Sequence, residues 1–357
     1  MCPARRRRSY RLTRRGWWAL AVTGLAVAGG LFATLRVHAS GSAPPGATST
    51  ASRNPGPARS APARAPSAIG TYQVATTTID VVEPTDTAGT RSLPTTVWFP
   101  VTRSARQRGA DQGPSRLPLL VFSQGFDVPV SAFGTMIEDW ASAGFVVAGP
   151  TYPRTDASDR AGLDEKDIVN HPADLRAVIA SVLAQDRERG SALWGLLDAG
   201  EIGLVGHSDG GDVSLAVADN TCCNDPRIKA VAVLSGAELA AFGGSYFGGH
   251  HVPLLVVQGG ADTVNPPGCS VEIYDAAPAP KFYLDLVGAG HLPPYLDAGT
   301  DQQAVARVTT DFFDAELAGQ AAAGPAMVAD GTLPGLAQLT AGGAAPLPPG
   351  PCPGAPR

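Results

Sequence analysis

Between residues 76 and 287 one pattern recurs, and it leaves few folds open. A short apolar run gives way to a loop of Gly, Pro or Asp, and then to a stretch with helical spacing. The runs at 117–123, 145–148, 202–206, 230–234, 252–257 and 282–287 are predominantly apolar, as strands covered on both faces must be. Residues 76–82 and 95–101 read as two further strands, rich in β-branched side chains. In residues 131–143, Phe133, Met136, Ile137 and Trp140 fall on one helical face. The next helix opens at His171, with Pro172 and Asp174 suited to its first turn, and Leu175, Val178, Ile179 and Val182 forming its apolar side. Alternating βα units predict an α/β fold with a mainly parallel sheet, helices on both faces, and ligands at the carboxyl ends of the strands.

The flanks have a different character. Residues 1–39 hold eight Arg and no acidic residue, with an uncharged stretch of 19 residues at 17–35 and a small-x-small site at Val37-His38-Ala39. This reads as an export signal, or as an uncleaved anchor tethering the chain to a membrane through residues 17–35. Residues 40–70 are rich in Ala, Pro, Ser and Gly and read as a linker. A catalytic domain is expected over 71–319. Residues 320–357 read as a Pro/Gly/Ala-rich tail in which Leu333, Leu336 and Leu339 are available to dock on the body. Without the first 39 residues the chain has 19 basic and 32 acidic residues, a net charge of −13. That balance argues against nucleic acid or an anionic membrane surface as a partner. The expected location is extracytoplasmic, secreted or in the cell envelope. There the four Cys outside the signal favour disulfides, and the pairs expected are Cys269 with Cys352 and Cys222 with Cys223. No Cys/His spacing resembles a metal site, and no metal or organic cofactor is expected.

Gly206-His207-Ser208-Asp209-Gly210 has the form G-x-S-x-G and lies where an apolar run ends and helical spacing begins. A sharp turn there lifts the Ser hydroxyl to the strand tip above a helix N-terminus, while Gly at the flanks removes Cβ atoms that would clash. Ser208 is therefore the candidate nucleophile. It needs a base, and only six His are present. His38 lies in the signal and His171 upstream. His207 adjoins Ser208 with its side chain directed elsewhere, and His250 and His251 precede a strand, at the wrong edge. His291, in the Gly-rich loop after the last run, remains. The orienting carboxylate is assigned to Asp262, after the run at 252–257, with Glu238 as the alternative. The oxyanion donors are the backbone N–H groups of Asp209 and of Phe126, in the loop after 117–123.

Together these residues resemble the α/β-hydrolase superfamily over about residues 72–317, including its chain order Ser–Asp–His. Residues 93–100 (LPTTVWFP), 171–176 (HPADLR) and 206–211 (GHSDGG) are most similar to dienelactone-hydrolase-like esterases, in particular the platelet-activating-factor-acetylhydrolase-like or chlorophyllase-like subgroup. The resemblance implies a sheet of about eight strands and a serine esterase acting on a small-molecule or lipid ester. Alternatives are a peptidase or thioesterase with the same triad, or a non-catalytic binding module.

The segment between the runs ending at 234 and beginning at 252 has 17 residues, five of them Gly, too few for a lid domain. It is expected to lend Phe242, Tyr246 and Phe247 to an apolar wall beside Ser208, unless those rings are packed into the core. A second loop at 151–167 is polar and carries five acidic residues. The expectation is an open cleft, apolar on one side and unfavourable to anionic substrates.

Overall fold

Two antiparallel strands, β1 (Val74–Thr85) and β2 (Gly89–Pro100), begin the ordered architecture, and β2 pairs antiparallel with β4. The computed structural model describes residues 68–85, 89–101, 116–159 and 162–353. The expectations for residues 1–39, including the tether at 17–35, and for most of the linker lie outside these residues. Among the described residues no helix is long and apolar enough to cross a membrane.

The centre follows the βα repeat. β3 (Leu117–Ser123) leads through a 3-10 turn at Val130–Phe133 into α1 (Gly134–Ala143), and β4 (Val146–Pro150) follows. Gly144 ends α1 in the left-handed region, φ 111°, where a side chain would be strained. A second 3-10 turn at Glu165–Asn170 precedes α2 (His171–Arg187), β5 (Leu197–His207), α3 (Asp209–Asp219) and β6 (Ile228–Leu234). Then come β7 (Leu254–Gly259), α4 (Pro267–Ala276), β8 (Lys281–Leu286), the short α5 (Pro293–Leu296) and α6 (Thr300–Glu316). In the sheet β4, β3, β5, β6, β7 and β8 lie side by side and parallel.

Side chains alternate between two cores along each central strand, as the pleat requires. Leu119, Val121, Leu204, Val231, Val233 and Val256 face α2, α3 and α4. Leu120, Phe122, Val205, Ala232, Leu234 and Val257 face α1, α5 and α6, where Trp140, Tyr295, Phe312 and Phe313 fill the space. Burial on both faces explains why these runs show little hydrophobic alternation in the sequence.

Two expectations need correction. The sheet has ten strands among the described residues and is mixed, with an antiparallel pair at each end flanking the parallel centre. The extra strands come from residues 320–357. After α7 (Ala323–Asp330), β9 (Thr332–Leu333) and β10 (Ala337–Ala341) add to the free edge of β8, placing Leu339 opposite Leu284. The compact unit runs on past residue 319 through the described residues that follow. Covering an otherwise open sheet edge outweighs the Gly/Pro-rich composition that reads as a tail.

The chain end is fastened covalently. Cys269, in α4, is bonded to Cys352, and Tyr274 donates to the Gly342 carbonyl at 2.8 Å. Cys222 is bonded to Cys223 just after α3. Both disulfides fit an oxidising compartment. The Cys269–Cys352 bond closes a loop with a sequence separation of 83. In the chain-entropy model it contributes up to about 4–5 kcal/mol. Non-reducing peptide mapping should recover 269–352 as one cross-linked fragment. Cys352→Ser should lower the unfolding midpoint by several degrees, and an unchanged midpoint would contradict the fastening role.

Candidate active site

β5 ends at His207 and α3 begins at Asp209, so the whole turn between them is the single residue Ser208. Ser208 has φ 54° and ψ −126°, a conformation that costs a non-Gly residue about 1–3 kcal/mol. The turn is possible only because its flanks lack side chains. A Cβ on Gly206 would overlap the Gly210 carbonyl, and one on Gly210 would overlap the Ser123 carbonyl at the tip of β3. The Ser208 N–H donates to Leu234 O at 2.9 Å, while Gly211 and Asp212 donate back to Ser208 O at 2.7 and 3.1 Å. The hydroxyl is thus pinned at the carboxyl edge of the sheet.

The structure brings the three sequence-assigned groups together. Ser208 Oγ lies 3.0 Å from His291 Nε2, and His291 Nδ1–H donates to Asp262 Oδ2 at 2.7 Å. Asp262 follows β7 and His291 follows β8, so parallel strands of one sheet, with β6 between β5 and β7, deliver Ser, Asp and His to one edge. Burial alone would raise the Asp262 carboxyl. The His291 hydrogen bond and charge, with N–H donors from Val264 at 2.8 Å and Asn265 at 3.0 Å, pull it below the ordinary value instead. An ionised Asp262 fixes the His291 tautomer that leaves Nε2 free to accept the Ser208 proton.

The loop after β3 passes directly over this turn. A Cβ on Gly125 would sit 3.0 Å from Ser208 Cβ. Among the described residues, no acceptor meets the backbone N–H of Phe126 or of Asp209. Two free donors beside a hydroxyl–imidazole pair are what an oxyanion requires. Asp127 (φ 58°) holds the loop by donating to Thr155 O at 2.9 Å.

A buried polar group braces that loop from behind. Ser123 Oγ lies 2.9 Å from the Tyr152 hydroxyl, whose ring stacks on His171 at 4.2 Å. His171 Nε2 is 3.3 Å from Thr155 Oγ1, and burial beside Arg91 lowers its pKa to about 3, so it stays neutral. Arg91 of β2 pairs with both Asp167 and Asp174. Asp174 therefore serves a cross-element ion pair, where its position in sequence reads only as a helix-dipole carboxylate.

Phe242, Tyr246 and Phe247 are not brought to Ser208. The loop between β6 and β7 runs along α3 to its far end, where Phe247 N–H donates to Asp219 O and Tyr246 bridges to Asn220. The rings pack on the α2–α3–α4 core. Tyr246 and Phe247 line a separate cavity of about 440 Å³ with Glu238 and Glu272. This placement is the alternative named for them, rings packed on the core and not a wall beside Ser208. The apolar side chains adjoining the site in sequence are Val264, two residues after Asp262, and Leu292, next to His291, both exposed. Glu238, the alternative acid, belongs to that cavity and has no hydrogen-bond link to His291. Among the described residues no cluster of His, Cys, Asp and Glu is placed to hold a metal ion.

No family model and no curated relative matches the chain in comparisons with known proteins.

One electrostatic feature of the donor pair is unusual. The Asp209 carboxyl is buried and its Oδ2 has no partner. Burial, with a smaller contribution from Glu165, raises its pKa to about 7. Neighbouring Asp212 is raised as well, by burial and by Asp209. Burial thus favours the neutral acid at Asp209, and a negative charge forms beside this backbone donor only on the alkaline side of the ordinary carboxylate range. Turnover of a neutral p-nitrophenyl ester is expected to show an alkaline decline as Asp209 ionises. Asp209→Asn, which keeps the backbone donor, should extend activity to higher pH. An alkaline limb unchanged in Asp209→Asn would refute the assignment.

Proposed function

We propose that this chain is an exported serine hydrolase of the α/β-hydrolase type, cleaving carboxylic esters through an acyl-enzyme on Ser208. The observation that carries the reading is the continuous line Ser208 Oγ–His291 Nε2, His291 Nδ1–Asp262 Oδ2, set beside two unpaired backbone donors. The order of the groups after β5, β7 and β8 supports the fold assignment. A binding module gains nothing from holding Ser208 at positive φ, so the strain favours catalysis over the non-catalytic alternative.

In the first step Ser208 Oγ attacks the ester carbonyl carbon as His291 Nε2 takes its proton. The Nδ1–H bond to Asp262 stabilises the imidazolium that forms. The carbonyl oxygen becomes an oxyanion held by the N–H groups of Phe126 and Asp209. Collapse breaks the C–O bond, and His291 returns the proton to the departing alcohol. Water then enters, gives a proton to His291 and attacks the acyl carbon. Collapse breaks the acyl C–O bond, His291 passes its proton to Ser208 Oγ, and the acid departs from a restored Ser208–OH.

The substrate class is a neutral ester. The exposed Val264 and Leu292 offer apolar contact beside the triad. The Thr151–Asp167 loop, whose Glu165 acts electrostatically on Asp209, opposes anionic groups. The disulfides support an extracytoplasmic location. Ser208→Ala and His291→Ala should each reduce kcat/KM for p-nitrophenyl butyrate by about 10⁴-fold or more, with the double variant little worse than either. Their thermal unfolding should match the parent. Near-normal turnover by a folded Ser208→Ala protein would overturn the proposal.

A further inference from the structure

Burial of His207 raises a question the triad does not answer. The residue precedes the nucleophile and is 1% exposed, yet it keeps a polar ring in an apolar setting. The rings of Phe133, Tyr295 and His291 lie 5.4, 4.7 and 4.7 Å from it. Its Nε2 is 2.9 Å from the backbone carbonyl oxygen of His291. A carbonyl only accepts, so Nε2 carries the hydrogen. Nδ1 has no partner and faces the backbone of Gly125, where a Cβ would sit 3.1 Å away. One ring therefore touches both loops that build the site, the donor loop after β3 and the base loop after β8.

The base loop is tied by backbone bonds at Val287, whose N–H donates to Leu336 O at 2.9 Å, and at Ala289, but not at the main chain of His291 itself. Gly288 (φ 71°) and Gly290 give residues 287–291 a large choice of conformations. Ala289 is tied to Leu286 and Ala261, but among the described residues the only hydrogen bond to the main chain of His291 comes from His207. The His291 side chain must meet Ser208 and Asp262 at once, so a small rotation of its backbone breaks both contacts.

We propose that His207 is a positioning residue: its Nε2–H clamps the His291 carbonyl and so aims the catalytic imidazole. His207 takes no proton in the reaction. Burial and the nearby His291 lower its pKa to about 3, so the ring stays a neutral donor while His291 cycles through its charged form. An apolar ring would pack equally well but could not make the clamp. The inference rests on the hydrolytic reading of Ser208, Asp262 and His291.

The test compares His207→Phe, which keeps a ring and loses the donor, with His207→Gln, whose Nε2 restores an N–H at similar reach. Rates on p-nitrophenyl butyrate are expressed per Ser208 labelled by a fluorophosphonate, so that misfolded protein does not count. Losing one hydrogen bond and the aim it provides should lower kcat by about 10- to 100-fold. KM should stay within about twofold, because the ring does not contact the substrate. His207→Gln should recover most of the rate. If His207→Phe does not accumulate as folded protein, His207→Met supplies the donor-free comparison. Parent-like kcat per labelled site in the donor-free variant would overturn the role. So would a Gln variant as impaired as Phe, since that pattern marks shape rather than the hydrogen bond. Absence of both labelling and turnover in the parent is a separate outcome. It overturns the hydrolytic reading, and this role with it.

Discussion

The close approach of three backbones at Ser208 is the constraint on which the rest of the structure depends. The tip of β5, the first turn of α3 and the tip of β3 meet without a Cβ between them, because residues 206 and 210 are Gly. The residue between strand and helix there takes positive φ, and among the described residues no acceptor meets the N–H of Asp209, which follows it. The central parallel strands, buried on both faces, supply the rigidity that holds such a turn. The loops after β3, β7 and β8 then have one place to converge, the carboxyl edge around Ser208.

Ionisable groups at that edge are sorted by their surroundings. Asp262 receives three strong hydrogen bonds and is held ionised. His207 and His171 are buried without carboxylate hydrogen bonds and are held neutral. Asp209 and Asp212, packed at the start of α3, are pushed towards the neutral acid. Among the described residues the carboxylate hydrogen-bonded to His291 is Asp262, the group whose charge would stabilise an imidazolium there.

Much of this was legible in the sequence because it follows from periodicity and chain order. The run at 117–123 reads directly as β3. Ser208, Asp262 and His291 each follow an apolar run, and a parallel sheet brings such positions to one edge. What was not legible depends on contacts between distant segments. Leu333, Leu336 and Leu339 mark the Gly/Pro-rich residues after 320 as able to dock, but nothing local announces that they do so as the strand β10, whose partner is β8. The HPADLR segment reads as a helix start, yet its His171 and Asp174 serve Thr155 and Arg91 on other elements. His207 reads as a bystander because a side chain adjoining a nucleophile is assumed to point away. It does leave Ser208, but only to reach the backbone of the base. Phe242, Tyr246 and Phe247 carry an apolar signal with no direction in it, and α3 claims them.

Ser208 on its strained turn is proposed to be a nucleophile served by His291. Intact-mass and peptide mass spectrometry after treatment with a fluorophosphonate read this out. One adduct per chain is expected, located on Ser208, forming quickly in the parent and lost when His291 is replaced by Ala. No adduct, or an adduct on another residue, would contradict it.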